Sequence, residues 1–177
     1  ERSTGEAAST PSASLITAPA ASGKTTLISQ AVVLALDEGT ELVPIVVKVQ
    51  RLQVRRRDSP TAFAESWNWF DAYLRLEHAD KPEVYRMLRQ AMAARRALLM
   101  LDGLDEGGAD RDAVEQHTVE VLAPQGHVLL CTSRPAGFDE SRFRDFRRLR
   151  LAPLTEAQQH NALTQRLGLE KASELLP

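Results

Sequence analysis

Apolar residues along this chain fall into short continuous runs, separated by longer stretches in which they recur at helical spacing. The runs Leu15 to Thr17 (LIT), Val43 to Leu52 (VPIVVKVQRL), Ala97 to Leu101 (ALLML) and His127 to Thr132 (HVLLCT) read as buried strands. The end of the basic segment Arg142 to Arg150 (RFRDFRRLR), with Leu149 and Leu151, predicts a last strand. Between the runs lie helix patterns. Thr25 to Leu36 carries Leu27, Ile28, Ala31, Leu34 and Ala35, and Val32, Val33 and Leu36 widen that stripe towards a helix buried on several sides. Gly39 ends it.

Ser59-Pro60 provides a cap and a first-turn proline for a helix carrying Phe63, Trp67, Phe70 and Leu74, with Trp69 and Tyr73 beside them. A base-stacking platform is one reading of these aromatics; their helical spacing favours packing. An Asp80–Glu83 capping box opens a helix with Val84, Met87, Leu88, Ala91 and Met92 inward, and Asp112 to Leu122 forms a short one. Thr155 and Gln158 form a second box, before a helix with Leu163 and Leu167 inward that Gly168 ends. Residues 169–177 read as the start of one more helix. Glu1 to Ser14 is small, polar and aperiodic, the pattern of a flexible linker. Strands alternating with helices predict an α/β fold around an open parallel sheet.

The junctions between runs hold the chemistry. Leu15 to Thr17 leads into Ala18-Pro19-Ala20-Ala21-Ser22-Gly23-Lys24-Thr25-Thr26, a phosphate-binding loop with Ala in place of the first Gly. Its backbone N–H groups, those of Ala18, Ala21 and Ser22 included, would surround an anion at a helix N-terminus. Lys24 would reach the β/γ-phosphates, and Thr25 would hold Mg²⁺. Ala18 is tolerable only with φ below zero. Asp102 follows the Ala97 run directly, so it would emerge at the carboxyl end of a strand and help to hold the metal. Asp105 and Glu106 stand close enough to orient or deprotonate water. Arg134, after the His127 run, suits sensing of a γ-phosphate. Arg55-Arg56-Arg57 read as a solvated loop, with phosphate or subunit contact the alternative. His117 reads as a surface or core-edge histidine with nothing nearby to pair with it, and Cys131 as buried and inert.

Composition bounds the rest. The chain has 177 residues, 43% hydrophobic and 26% charged, which is the profile of one globular domain. A formal net charge of −2 argues against a general nucleic-acid binder and leaves room for a local basic patch. A single cysteine excludes an internal disulfide and points to a reducing, cytoplasmic compartment. No apolar stretch approaches the roughly 20 residues of a membrane span. Beginning at Glu1 and stopping at Leu175-Leu176-Pro177, the chain reads as an excerpt of a longer protein.

In combination and in this order, APAASGKTTL, ALLMLDGLDE, VLLCTSRP and RLRLAPLTEAQ resemble the NACHT-type nucleotide-binding domain of the STAND class of P-loop NTPases. The resemblance covers about residues 15 to 167. It implies an ASCE-type, five-stranded parallel sheet flanked by helices, with a strand inserted between the loop strand and the Asp102 strand. The implied layout is a linker over 1–14, the NTPase core over 15–152 and the start of a helical subdomain over 153–177. Such a domain holds ADP in a closed state and ATP in an open state that self-associates, with further domains of the same chain as partners. Gly23, Lys24, Thr25 and Thr26 would bind phosphate and Mg²⁺, Asp102 the metal, Asp105 and Glu106 the water, and Arg134 would be the sensor. The expected activity is slow ATP hydrolysis driving a switch, with neither membrane nor nucleic acid as a partner. A metabolic P-loop kinase, a scaffold that binds nucleotide without hydrolysis and an AAA-type motor are the other readings that the residues leave open.

Overall fold

The computed structural model describes residues 12–167. Five strands form one sheet: β1 (Ala13–Thr17), β2 (Val43–Lys48), β3 (Ala97–Asp102), β4 (Val128–Ser133) and β5 (Arg147–Arg150). Their order is β2-β3-β4-β1-β5, and every neighbouring pair is parallel. Strand β4 is the one inserted between the loop strand β1 and the Asp102 strand β3, as expected. Parallel strands bring all their carboxyl ends to one edge, where open α/β sheets bind ligands.

Register divides the strand residues between two faces. Ile45, Val47, Leu99, Leu101, Leu129, Cys131, Ala13 and Leu15 share one face and belong to the main core cluster. Helices α2 (Val49–Asp58), α3 (Pro60–Ala64), α4 (Trp69–Glu77), α5 (Pro82–Ala93) and α6 (Arg111–His117) add to it through Leu52, Phe63, Phe70, Leu74, Met92 and Val114. Helix α1 (Lys24–Asp37) contributes no residue to that cluster, and right-handed crossover places it over the opposite face. There the covering is thin. Val33, Leu34 and Leu36 of α1 are exposed, and so are Val46, Val128 and Leu149 of the sheet. The expectation of a helix buried on several sides is therefore corrected: only Ile28 and Ala35 of α1 are buried. Among the described residues no helix is long and apolar enough to cross a membrane.

Other local expectations also shift. Strand β1 starts at Ala13, two residues inside the stretch read as linker, because Ala13 and Ser14 pair with Leu129 and Leu130. The β-branched run ends at Lys48, and Val49 to Leu52 opens α2, where Val49 and Leu52 are buried one turn apart. Tertiary packing overrides strand propensity there. Arg55 to Arg57 consequently lie in the last turn of a helix, with Arg55 on Glu77 at 3.1 Å and Arg56 on Asp110 at 2.7 Å. The aromatic helix is broken after Ala64. Asn68, almost fully buried, restarts it as α4 by accepting the Asp71 N–H at 2.9 Å. Trp67 lies in the break. Helix α5 begins at Pro82 with Lys81 as its cap, so the Asp80 box does not form; proline is pre-set for the first helical position. The Thr155–Gln158 box forms with both hydrogen bonds, opening α7 (Glu156–Leu167). Gly168 and the helix expected over 169–177 lie outside the described residues.

His117 does have a partner. Its ring stacks on Trp69 with centroids 4.2 Å apart, and its Nε2 accepts the Trp69 backbone N–H at 3.1 Å. The Arg56 guanidinium lies 4.4 Å from the Trp69 ring centroid. Burial first, and the Arg56 charge second, push the His117 pKa down from 6.5 to about 4. A protonated ring would lose the acceptor that Trp69 uses. The folded value lies below the unfolded one, so between pH 6.5 and about 4 the unfolded chain binds a proton that the fold excludes. Stability from this group is complete above pH 6.5 and falls by roughly 2–3 kcal/mol as the pH drops to about 4. Urea unfolding at several pH values should show a shallower acid loss in His117→Gln than in the parent chain. Equal pH slopes would contradict the assignment.

Candidate functional site

At the carboxyl edge, β1 runs into the loop and the loop into α1. The Ala18 N–H donates to the Ser133 carbonyl at 3.1 Å, which fastens the loop entrance to β4. Ala18 is fully buried and is not among the residues with positive φ, so its side chain is tolerated there. The left-handed positions are Ala21 (φ 57) and Gly23 (φ 91). A Cβ on Gly23 would meet no atom within 4 Å, so its backbone angle alone calls for glycine. Ala21 takes the same region with a side chain, at a cost of about 1–2 kcal/mol. The Ser22 hydroxyl donates to the Pro19 carbonyl at 2.6 Å and tightens the turn.

Two polar groups at the start of α1 point back into this edge. Lys24 Nζ donates to the carbonyls of Ala18 and Pro19 at 2.9 and 2.8 Å, which holds its charge against the loop. Thr25 Oγ1 donates to Asp102 Oδ2 at 2.9 Å, joining the helix start to the end of β3. The other Asp102 oxygen accepts from Thr132 Oγ1 at 2.8 Å, and Thr132 Oγ1 in turn accepts the Gly103 N–H at 2.9 Å. Asp102 and Thr132 are buried, so both carboxylate oxygens are fixed in direction. Thr25 and Asp102, 77 residues apart in sequence, are thus joined at the helix start, with Lys24 held on the adjoining loop.

Past Asp102 the two acids diverge. Asp105 is gripped by Arg134: Nε lies 2.9 Å from Oδ2, and the Arg134 backbone N–H donates to Oδ1 at 3.0 Å. Glu106 is exposed. Its carboxyl end folds over Gly103, where a Cβ would come within 3.0 Å of Glu106 Cδ, and Gly103 has φ 83. Gln53 Nε2 donates to the Glu106 carbonyl at 2.9 Å and holds that backbone in place. Glu106 is thereby a carboxylate on a fixed backbone, and Asp105 is half of an ion pair. Burial pushes the Cys131 thiol up, so it stays protonated and inert.

Thr26, Ser22 and Ala21 border a cavity of about 500 Å³ between the loop and residues 151–154. Leu27, Leu151, Pro153 and Leu154 give it apolar walls. The Leu151 N–H donates to the Thr17 carbonyl at 3.0 Å and pins the outer wall to β1. Among the described residues no group of three or more His, Cys, Asp or Glu side chains is placed to hold a metal ion. What the site offers a divalent cation is one hydroxyl and one carboxylate, the sparse oxygen set that suits Mg²⁺ shared with phosphates and water.

Three contributors were missed in the sequence. Thr132 was passed over in favour of Arg134, although a polar residue closing an apolar strand run was a signal. The wall formed by residues 151–154 had none. Gly137 had none either: a Cβ there would lie 2.3 Å from Asp105 Cβ.

No protein-family model matches the chain, and no curated protein matches it in sequence. Solved structures do match in shape. A complex of HORMA, CdnC and Trip13 from E. coli MS115-1 contains a chain that superposes with a TM-score of 0.54 at 18% identity, over 94% of this chain and 58% of that one. The replication initiator DnaA, bound to AMPPCP and single-stranded DNA, superposes with a TM-score of 0.52 at 17% identity, over 92% of this chain and 49% of DnaA. The fold is that of the α/β P-loop NTPases. The present chain spans only about half the length of these neighbours.

The contact of Gly137 with Asp105 gives a direct test. Gly137→Ala must displace either the Arg134 loop or Asp105, at a cost of about 1–3 kcal/mol. Denaturant unfolding should show that loss, whereas Gly126→Ala, whose strain lies only in its own positive φ, serves as the comparison. Unchanged stability in Gly137→Ala would contradict the packing described.

Proposed function

We propose that this chain is a nucleotide-dependent switch module of the NACHT type, in the STAND class, that binds ATP and ADP with Mg²⁺ and hydrolyses ATP slowly. The observation that carries the reading is the Thr25–Asp102 hydrogen bond of 2.9 Å beside Lys24. A hydroxyl and a carboxylate joined at a helix N-terminus, with an ammonium on the adjoining loop, are the parts that phosphoryl chemistry needs. The AMPPCP held by DnaA, a fold neighbour, agrees with it.

In this reading the loop N–H groups from Ala18 to Thr26 surround the phosphates, Lys24 moves its charge from the loop carbonyls to the β/γ-phosphates, and the apolar cavity takes the base. Thr25 and Asp102 would hold Mg²⁺, which would supply neutralising charge for the phosphates. Glu106 accepts the proton of the attacking water. Arg134 faces the γ-phosphate while anchored on Asp105, so a change there is transmitted to the end of β4. That pairing ties phosphate sensing to strand position, as a switch requires. After β5, α7 opens a helical subdomain of a cytoplasmic protein. Self-association draws on the exposed apolar residues of α1.

A P-loop kinase would be expected to carry mobile arginines on a lid, whereas Arg55, Arg56, Arg142 and Arg148 of the two basic runs are in ion pairs with carboxylates of the same domain. The scaffold reading draws some support from Asp105, both of whose oxygens are engaged by Arg134.

Turnover measurements decide among them. ATP hydrolysis should run well below about one per second, as a switch requires, and show no stimulation by small acceptors. Glu106→Gln should lower it about a hundredfold, the scale of one general base, with affinity nearly unchanged. Lys24→Ala should weaken ATP binding at least about tenfold. Fast acceptor-dependent turnover would overturn the switch, and unaltered binding in Lys24→Ala would overturn the site.

A further inference from the structure

At the opposite edge of the sheet from the phosphate loop, where β3 and β4 begin, lies a second cavity of about 490 Å³. Helix α5 lines it with Tyr85, Arg86 and Arg89, the break before α4 with Trp67, and the turn into β3 with Arg95. Every charged residue on its wall is an arginine. The one carboxylate beneath, Asp71, is buried and already accepts the Tyr85 hydroxyl at 2.9 Å and Arg89 Nε at 3.2 Å. The Arg89 side chain remains 55% exposed, which leaves its terminal nitrogens open to the cavity. Trp67 is 40% exposed, an unusual position for a tryptophan in a chain with only two.

Arg95 is the most telling residue. It has φ 59 and is followed by the hydrogen bond from the Arg96 N–H to the Ala91 carbonyl that closes the end of α5. Glycine ordinarily fills such a helix-ending position. An arginine accepts the steric penalty, and its guanidinium then lies 5.9 Å from the Trp67 ring centroid. Behind it His127 is fully buried, with Nδ1 lacking a hydrogen-bond partner and Nε2 3.5 Å from Arg95 Nη1. Burial and the Arg95 charge both favour the neutral ring, so His127 adds no competing positive charge.

We propose that this cavity binds a nucleotide unit, with the base stacked on Trp67 and the phosphate held by Arg86, Arg89 and Arg95. Guanidinium forks match phosphate oxygens in pairs, and an exposed indole takes any base by its π-face. The volume suits one nucleotide. The unit is offered either by a free mononucleotide or by single-stranded nucleic acid, since both carry the same base and phosphate. A net charge of −2 for the whole chain does not oppose this, because the positive charge is local.

The test uses the intact chain saturated with Mg·ADP at low salt, so that the phosphate loop is not available to the probe. Fluorescence anisotropy follows a labelled oligothymidylate of roughly eight residues, and calorimetry follows thymidine monophosphate. Binding of the strand alone assigns the site to nucleic acid; binding of both with similar affinity assigns it to free nucleotide, and either supports the site. Trp67→Ala and Arg86→Ala, both at exposed positions, should each weaken binding by about tenfold, while Lys24→Ala should leave it unchanged. Binding of neither probe, binding that survives both cavity variants, or binding lost in Lys24→Ala would overturn the proposal. The first two results concern this cavity alone and leave the reading of the phosphate loop intact.

Discussion

One buried carboxylate holds the carboxyl edge of this sheet together. Asp102 accepts from Thr25 at the start of α1 and from Thr132 at the end of β4, and it is itself the last residue of β3. A carboxylate in such surroundings is tolerable only with its oxygens satisfied, and two hydroxyls satisfy them. The arrangement demands that β3, β4 and the β1 loop finish at the same level. Parallel pairing in the order β2-β3-β4-β1 supplies that alignment. The start of α1 and the end of β4 are tied together through the Asp102 carboxylate.

The two faces of the sheet are unequal. Five helices and most of the core lie on one side, and α1 stands over the other with apolar residues in solvent. The firmly packed side carries Gln53 of α2, which holds the Glu106 backbone in place. The lighter side carries the loop and α1. The positions proposed to contact phosphates therefore sit on the element with the fewest packing constraints, where a small rearrangement costs least.

Legibility in the sequence followed the range of the interactions. Runs such as ALLML and VLLCT announced buried strands because a parallel strand covered on both faces leaves little choice of residue. The loop before Lys24 and the helix start at Lys24 and Thr25 were readable for a similar reason: they are built from contiguous residues. Asp102 was readable as an acid closing an apolar run. The failures were tertiary. Nothing local distinguishes Val49 to Leu52 from the strand before it; they are helical because Val49 and Leu52 bury together. The regular spacing from Phe63 to Leu74 hid a break at Asn68. Arg134 was placed correctly at a strand end, yet its pairing with Asp105 depends on Gly137 allowing close approach, and no pattern along the chain encodes that distance. Arg95, an arginine in a position for glycine, was invisible until the backbone angles were known.

In the proposed function Thr25 and Asp102 form the metal-holding end of a nucleotide site. The dependence of ATP affinity on Mg²⁺ tests it most directly, measured by calorimetry in the parent chain and in Asp102→Asn. In the parent chain Mg²⁺ should strengthen ATP binding by about tenfold or more, the scale of a charge-assisted contact. Asp102→Asn should keep metal-free binding, which rests on the loop and Lys24, and lose the Mg²⁺ enhancement. An enhancement of equal size in both proteins would contradict the account.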